Sequence, residues 1–260
     1  MRLFIAVVIL ALLAGAAGAW ILLGKGISNP HNYKTVGDIS APWGYQRIVG
    51  VDADYSRYLR SLPLKPRGTK VQLYTGGDAR LQSLNYAVVD LPLLSNAEQC
   101  ADVCMRLRAE YLYHTRQYGR IHFFDVNGRD QRYGGGASRK AFERYMRNIY
   151  GVASTYSLSR KMKPRTLKDM QPGDVFVYAA VDRPGNHPYG HAVMVVDVAQ
   201  NPRNGKKAFL LAEGNTPARD IHLLRNFKNP LRSPWFILDE DADLLLLAIF
   251  PYKGDELRHF

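Results

Sequence analysis

The stretch that most narrows the choice of fold is "GDVFVYAAVDRPGNHPYGHAVMVVDVAQNPRNGKKAFLLAEGN", residues 173–215. It holds three apolar runs, 174–181, 191–199 and 207–213, each bounded by Pro, Gly or Asn. Runs this short and this rich in Val and Phe read as strands with both faces covered, and the links between them are punctuated as turns. Two more strands are expected at 221–225 and in "LLLLAIF" near the end of the chain. The half before residue 173 reads differently. "DYSRYLRSLPLKPRG" is a helix stopped by Pro63 and Pro66, and "SRKAFERYMRNIYG" is a helix ended by Gly151. "SNAEQCADVCMRLRAEYLYH" carries Ser95 and Glu98 at capping-box spacing, which predicts a helix from Ser95 to about His114. "YQRIVGV", "TKVQLYTGG", "LNYAVVDLP" and "RIHFFDVNGRD" supply short strands between them. Helices first and strands after, without regular alternation, predict an α+β fold.

Ahead of this lies "MRLFIAVVILALLAGAAGAWILLGKG", a single arginine followed by an unbroken apolar run from Leu3 to Leu23. Residues 1–25 are read as an export signal or an N-terminal membrane anchor, with Ala17-Gly18-Ala19 fitting cleavage and the length of the run fitting an anchor. Residues 26–44, with scattered Gly, Pro, Asn and Ser, are read as a linker, and 45–260 as one domain. The body is then expected in the periplasm or outside the cell, tethered to the inner membrane if the leader is kept. A net charge of +12 suits an anionic membrane surface or cell-wall polymer. Nucleic acid is not expected, because no zinc-finger spacing or RNA-binding signature occurs.

The residues that could carry chemistry are few. Cys100 and Cys104 are the chain's two cysteines. An i, i+4 pair on a helix is badly aimed for a disulfide, so two free thiols are expected. A thiol becomes a nucleophile as its thiolate, which a helix N-terminus and a nearby imidazole both favour. His191 opens a buried strand that has no other use for it, at what should be the edge of the sheet. Glu213 and Asn215, where the next strand emerges, are the candidates to orient the ring, with Glu213 favoured. Cys100, His191 and Glu213 are therefore the expected catalytic set, and it needs no cofactor or metal. A second reading makes both cysteines core residues, since Cys100, Cys104, Leu107 and Tyr111 share one helical face and the capping box puts Cys100 five residues deep. A third gathers His187, His191 and His222 around a metal, which an extended, proline-broken segment does little to favour.

"GYQRI", "YLRSLPLKPRGTKVQLYTG", "QCADVCMRLRAEYLY", "GDVFVY", "GHAVMVVDVAQNPRNGKKAFLLAEGNTPARDIHLLRN" and "SPWF" together resemble an uncharacterised family of exported bacterial proteins, domain of unknown function 4846. That resemblance spans most of the chain after residue 44 and implies no activity. In order alone, a helix cysteine, "PGDVFVY", "GHAVMVVDV" and a polar residue on the next strand are similar to papain-like cell-wall peptidases of the NlpC type. That likeness implies a cysteine helix packed on an antiparallel sheet, Cys100 as nucleophile, His191 as base and a structural Asp174. The function expected is hydrolysis of an amide bond in the cell envelope, in peptidoglycan peptides; the alternative is a non-catalytic envelope protein that binds a wall polymer or a partner protein.

Overall fold

Strands that are apolar on both faces can only sit where both faces are covered, and the runs between residues 175 and 213 form the middle of one large antiparallel sheet. The computed structural model describes residues 26–183, 189–242 and 244–260. In chain order, β1 (Gln46–Arg47) and α1 (Ala53–Arg60) come before β2 (Asn85–Val88) and the long helix α2 (Cys100–His114). The hairpin of β3 (His122–Phe124) and β4 (Asp130–Arg132) leads into α3 (Arg139–Val152) and α4 (Thr155–Lys161). Strands then dominate: β5 (Lys163–Pro164), β6 (Val175–Tyr178), β7 (His191–Gln200), β8 (Lys207–Glu213) and β9 (His222–Leu224). The last are β10 (Phe236–Ile237), β11 (Leu245–Leu247), β12 (Phe250–Tyr252) and β13 (Leu257–His259). The fold is α+β, as the order of elements predicts.

The sheet runs β2-β9-β8-β7-β6-β13-β5, with β1 added to β7 and β10 to β8. Alternation along β7 and β8 divides the core in two. Ala192, Met194, Val196, Leu210 and Ala212 meet Val103, Cys104 and Leu107 of α2. Val193, Val195, Phe209 and Leu211 face the other way, towards Phe176, Leu247 and Tyr252.

A register shift between Val195 and Asp197 re-aims one residue of β7. Asp197 is fully buried, and its two oxygens accept from Arg47 Nε at 2.6 Å and Arg60 Nε at 2.7 Å. One carboxylate thus ties β1 and α1 to the central strand. The α1 helix is itself capped by Asp52, which accepts from Tyr55 N at 3.0 Å.

Two expectations need correction. Residues 26–44 are not a free tether: Val36 and Ile39 are buried, Asn29 N donates to Tyr86 O at 2.6 Å, and Asn29 Nδ2 bonds Tyr33 O and Lys65 O. The Gly- and Asn-rich composition hides a segment that packs through a few well-placed residues. "TKVQLYTGG" forms no strand, only the isolated bridges Gln72↔Asp78 and Leu73↔Arg219, although Gly76 and Gly77 do turn with φ of 93° and 87°. The expected leader, residues 1–25, lies outside the described residues. Among those described, no helix is long and apolar enough to cross a membrane.

Removing one partner from a buried ion pair strands the other, at a cost of about 3 to 5 kcal/mol. Asp197→Asn leaves both Arg47 and Arg60 without their carboxylate, and is expected to lower the unfolding free energy by about 3 kcal/mol in chemical denaturation. A loss near zero would show that β1 and α1 are held by packing alone.

Candidate functional site

The position of Cys100 depends on where α2 begins, and the structure moves that start. Ser95 and Glu98 close a turn instead of a helix: Glu98 N donates to Ser95 O at 3.1 Å, and the Glu98 carboxylate is fully buried. There it accepts from Leu94 N at 2.7 Å and from Arg106 Nη1 at 3.2 Å. Arg106 is 1% exposed and also bonds Glu110 Oε1 at 2.6 Å through Nε. The guanidinium claims the glutamate that the sequence assigns to a cap. The cap falls four residues later, where Gln99 is extended and its N–H donates to Asp102 Oδ2 at 2.9 Å. Cys100 is therefore the first helical residue, not five residues deep, where backbone N–H groups are free and the helix dipole favours a thiolate.

His191 comes from the opposite direction in the chain. It is the first residue of β7, paired with Tyr178 of β6, so it stands at the end of a central strand and not on a sheet edge. Its Nε2 lies 2.8 Å from Glu213 Oε2, which leaves Nδ1 on the other side of the ring, and Cys100 is near enough to favour the ring's charge. Burial opposes charge on the ring, but the Glu213 carboxylate and the cysteine outweigh it and push His191 up to about 10. Burial likewise works against the Glu213 charge, and His191 overcomes it, holding the carboxyl down at about 2. The pair is thus an imidazolium and a carboxylate over the whole neutral range.

Glu213, not Asn215, meets the ring. Asn215 Nδ2 supports the glutamate instead, donating to Oε1 at 3.3 Å, and His222 Nε2 lies 3.5 Å from the same oxygen. His222, opposite Glu213 in the β8/β9 register, also has its Nδ1 2.8 Å from Asp220 O. The sequence reading offers His222 only as a metal ligand. Its place on a buried strand next to the one carrying Glu213 was the signal for this second role.

Two glycines let these elements come together. A Cβ on Gly214 would lie 2.6 Å from Val103 Cγ2 and 3.3 Å from Gln99 O, so the strand end rests directly on the first turn of α2. A Cβ on Gly190 would meet Thr155 Oγ1 at 2.3 Å and Tyr178 O at 2.5 Å. Thr216 Oγ1 completes the join by donating to Gln99 Oε1 at 2.8 Å.

The site is closed. Cys100 is 7% exposed, and His191 and Glu213 are each 4% exposed. The Phe250 ring stacks on the His191 imidazole at 3.8 Å between centroids and 24° between planes. Arg183 holds that strand, donating from Nη1 to Pro251 O at 2.6 Å, pairing with Glu256, and lying over the Tyr178 ring. Nothing local in "LLLLAIFPY" announces this contact, because it is made only by the tertiary fold.

The other predicted residues take structural places. Cys104 is buried in the core with its Sγ 3.5 Å from Cys100 O, and burial pushes its thiol well up. Asp174 accepts from Gln171 N at 2.8 Å and Arg165 Nε at 3.2 Å, and burial pushes it up to about 7 against the pull of Arg165. His187 lies outside the described residues, while His191 and His222 both turn to Glu213.

Comparison with known proteins gives one match, the family model described as Domain of unknown function (4846), over residues 36–136 and 134–259. No curated protein and no solved structure matches the chain.

Glu213→Gln removes the charge that sustains the His191 imidazolium, and burial then disfavours it. The NMR midpoint of the His191 ring is expected to fall from about 10 to below its ordinary 6.5; a midpoint that stays put would show that Glu213 does not set the ring's charge. The linkage runs both ways. His191's share of stability is complete below 6.5 and lost as pH rises through about 10, whereas that of Glu213 is complete above 4.5 and lost as pH falls through about 2. Phe250→Ala uncovers the ring and should speed alkylation of Cys100 on the order of tenfold, equivalent to about 1.4 kcal/mol in the opening equilibrium. An unchanged rate would mean that the barrier lies elsewhere.

Proposed function

The chain belongs to the family of domain of unknown function 4846, and since that family is defined by sequence and not by reaction, we propose from the site alone that this protein is a thiol hydrolase cleaving an amide bond. The observation that carries the reading is the meeting of three side chains from three separate elements. A thiol on the first residue of a helix, an imidazole opening a strand and a carboxylate ending the next strand stand in the order nucleophile, base and orienting group, His191 and Glu213 at 2.8 Å.

The chemistry follows from those positions. Cys100, its proton already resident on the His191 imidazolium, attacks the amide carbon as the thiolate. The oxygen, now negative, is held by donors at the start of α2: the free Cys100 N–H, with the Gln99 side chain beside it. His191 then returns the proton to the leaving amine, and a thioester remains. Water, deprotonated by the same imidazole, releases the acid and restores the thiol. Glu213 keeps the ring turned and its charge balanced through both halves. This is a papain-like arrangement, a cysteine helix against an antiparallel sheet, and the order of elements is similar to that of NlpC-type wall peptidases. The leader of residues 1–25 and the charge of +12 favour a substrate in the cell envelope, peptidoglycan peptides first among them.

One observation favours a second reading. The thiol and imidazole are both covered, with Phe250 flat against His191, as in a non-catalytic envelope protein that keeps the fold and binds a wall polymer or a partner.

The two readings part on reactivity. For a hydrolase, Cys100→Ala abolishes release of peptide fragments from purified peptidoglycan while circular dichroism stays unchanged. Alkylation of Cys100 persists below neutral pH and is lost with His191→Ala. Full activity in Cys100→Ala would end the proposal. Slow alkylation at both Cys100 and Cys104, indifferent to His191, would favour the binding protein.

A further inference from the structure

Away from this site, α4, β3 and the end of β13 enclose a cavity of about 470 Å³ whose lining separates sharply by polarity. Its floor is apolar and buried, made by Leu112, Phe123 and Leu158, and half-buried Phe124 and Met162 form walls. Its rim is cationic: Arg120, Arg132, Lys161 and Lys163 are all exposed around it, and Arg108 stands deeper. No Asp or Glu lines the cavity among the described residues.

Some of that charge is already used. Arg108 pairs with Asp52 at 3.2 Å, and Arg132 with Asp130 at 2.6 Å. Arg120, Lys161 and Lys163 have no carboxylate partner among the described residues. Lys161 instead lies 5.1 Å over the Phe124 ring, at the boundary between rim and wall. Three cations without an Asp or Glu partner among the described residues line one cavity, and the fold keeps them at the mouth of an apolar hollow. An anion bound there supplies that partner, while an apolar chain attached to it displaces water from the floor.

We infer that this cavity binds a single-chain anionic amphiphile, with a phosphate headgroup on Arg120, Lys161 and Lys163 and its alkyl chain over Leu112, Phe123 and Leu158. The volume lies within the 300 to 1,000 Å³ or so common to small-molecule sites. Neither half of the ligand suffices by this argument: the rim alone offers a weak, solvent-screened ion pair, and the floor alone no orientation. The inference does not rest on Cys100 or His191 and stands whatever they do.

The test is isothermal titration of the full chain at low ionic strength with dodecyl phosphate, kept below the concentration at which it forms micelles. Inorganic phosphate and dodecyl maltoside serve as the other arms. Dodecyl phosphate is expected to bind at least tenfold more tightly than either, and to weaken as salt is raised. Lys161→Glu with Lys163→Glu should reduce its affinity tenfold or more, and Arg120→Glu should do the same independently. Lys168→Glu, on a different surface, should not. Equal binding of inorganic phosphate would reduce the site to a general anion patch, and equal binding of the maltoside to an unselective apolar hollow. Either result overturns the proposal, as does full affinity in the charge-reversed variants.

Discussion

Arg106 is buried at 1% exposure, and a guanidinium cannot shed its proton to escape the cost. Carboxylates must therefore come to it. Glu110 arrives from the next turn of the same helix, itself held by Arg139 of α3 at 2.7 Å. Glu98 arrives from outside the helix, and this arrival shapes the candidate site. With Glu98 turned inward, residues 95–99 cannot be helical, the helix starts at Cys100, and the thiol receives the unpaired N–H groups of the first turn. A single buried cation thus decides which residue of the chain opens the helix and sits among its free N–H groups.

The sheet supplies the other half by ending where it does. His191 begins one central strand and Glu213 finishes its neighbour, so the imidazolium and carboxylate meet at one end of the sheet, on the face that holds Val193 and Leu211. Inside the protein each of these charges is unfavourable alone, and each is maintained by the other. His222 and Asn215 then fill the lone pairs of Glu213 that His191 leaves. The result is a compact charged cluster closed by Phe250, with the imidazolium held in its protonated form by the carboxylate. The cluster is shielded from solvent, and the hydrolase and binding readings differ only in whether that shield opens.

How much of this was legible in the sequence varies with how local each determinant is. The central strands were legible because Val-rich runs without polar alternation have one home in a domain of this size. Cys100, His191 and Glu213 were legible as polar residues placed where strands or helices begin and end. The helix start was not, because Ser95 and Glu98 have the spacing of a cap and only Arg106, eight residues further on, says otherwise. The docking of residues 29–41 was masked by Gly, Asn and Pro around the few residues that anchor it. Phe250 over His191, 59 positions apart in the chain, has no local signature at all.

The first turn of α2 also sets an angle. Successive residues of an α-helix are turned by about 100°, with 3.6 to the turn, and the box of Gln99 and Asp102 fixes where that count begins. Deleting Gln99 would remove the cap itself, and adding a residue after Glu98 would lengthen the tie between the buried Glu98–Arg106 pair and the turn that carries Cys100. The length of the short connection after Glu98 is thus a constraint of the same rank as the identity of the thiol, and relatives of this chain can be sorted by it before any residue is compared.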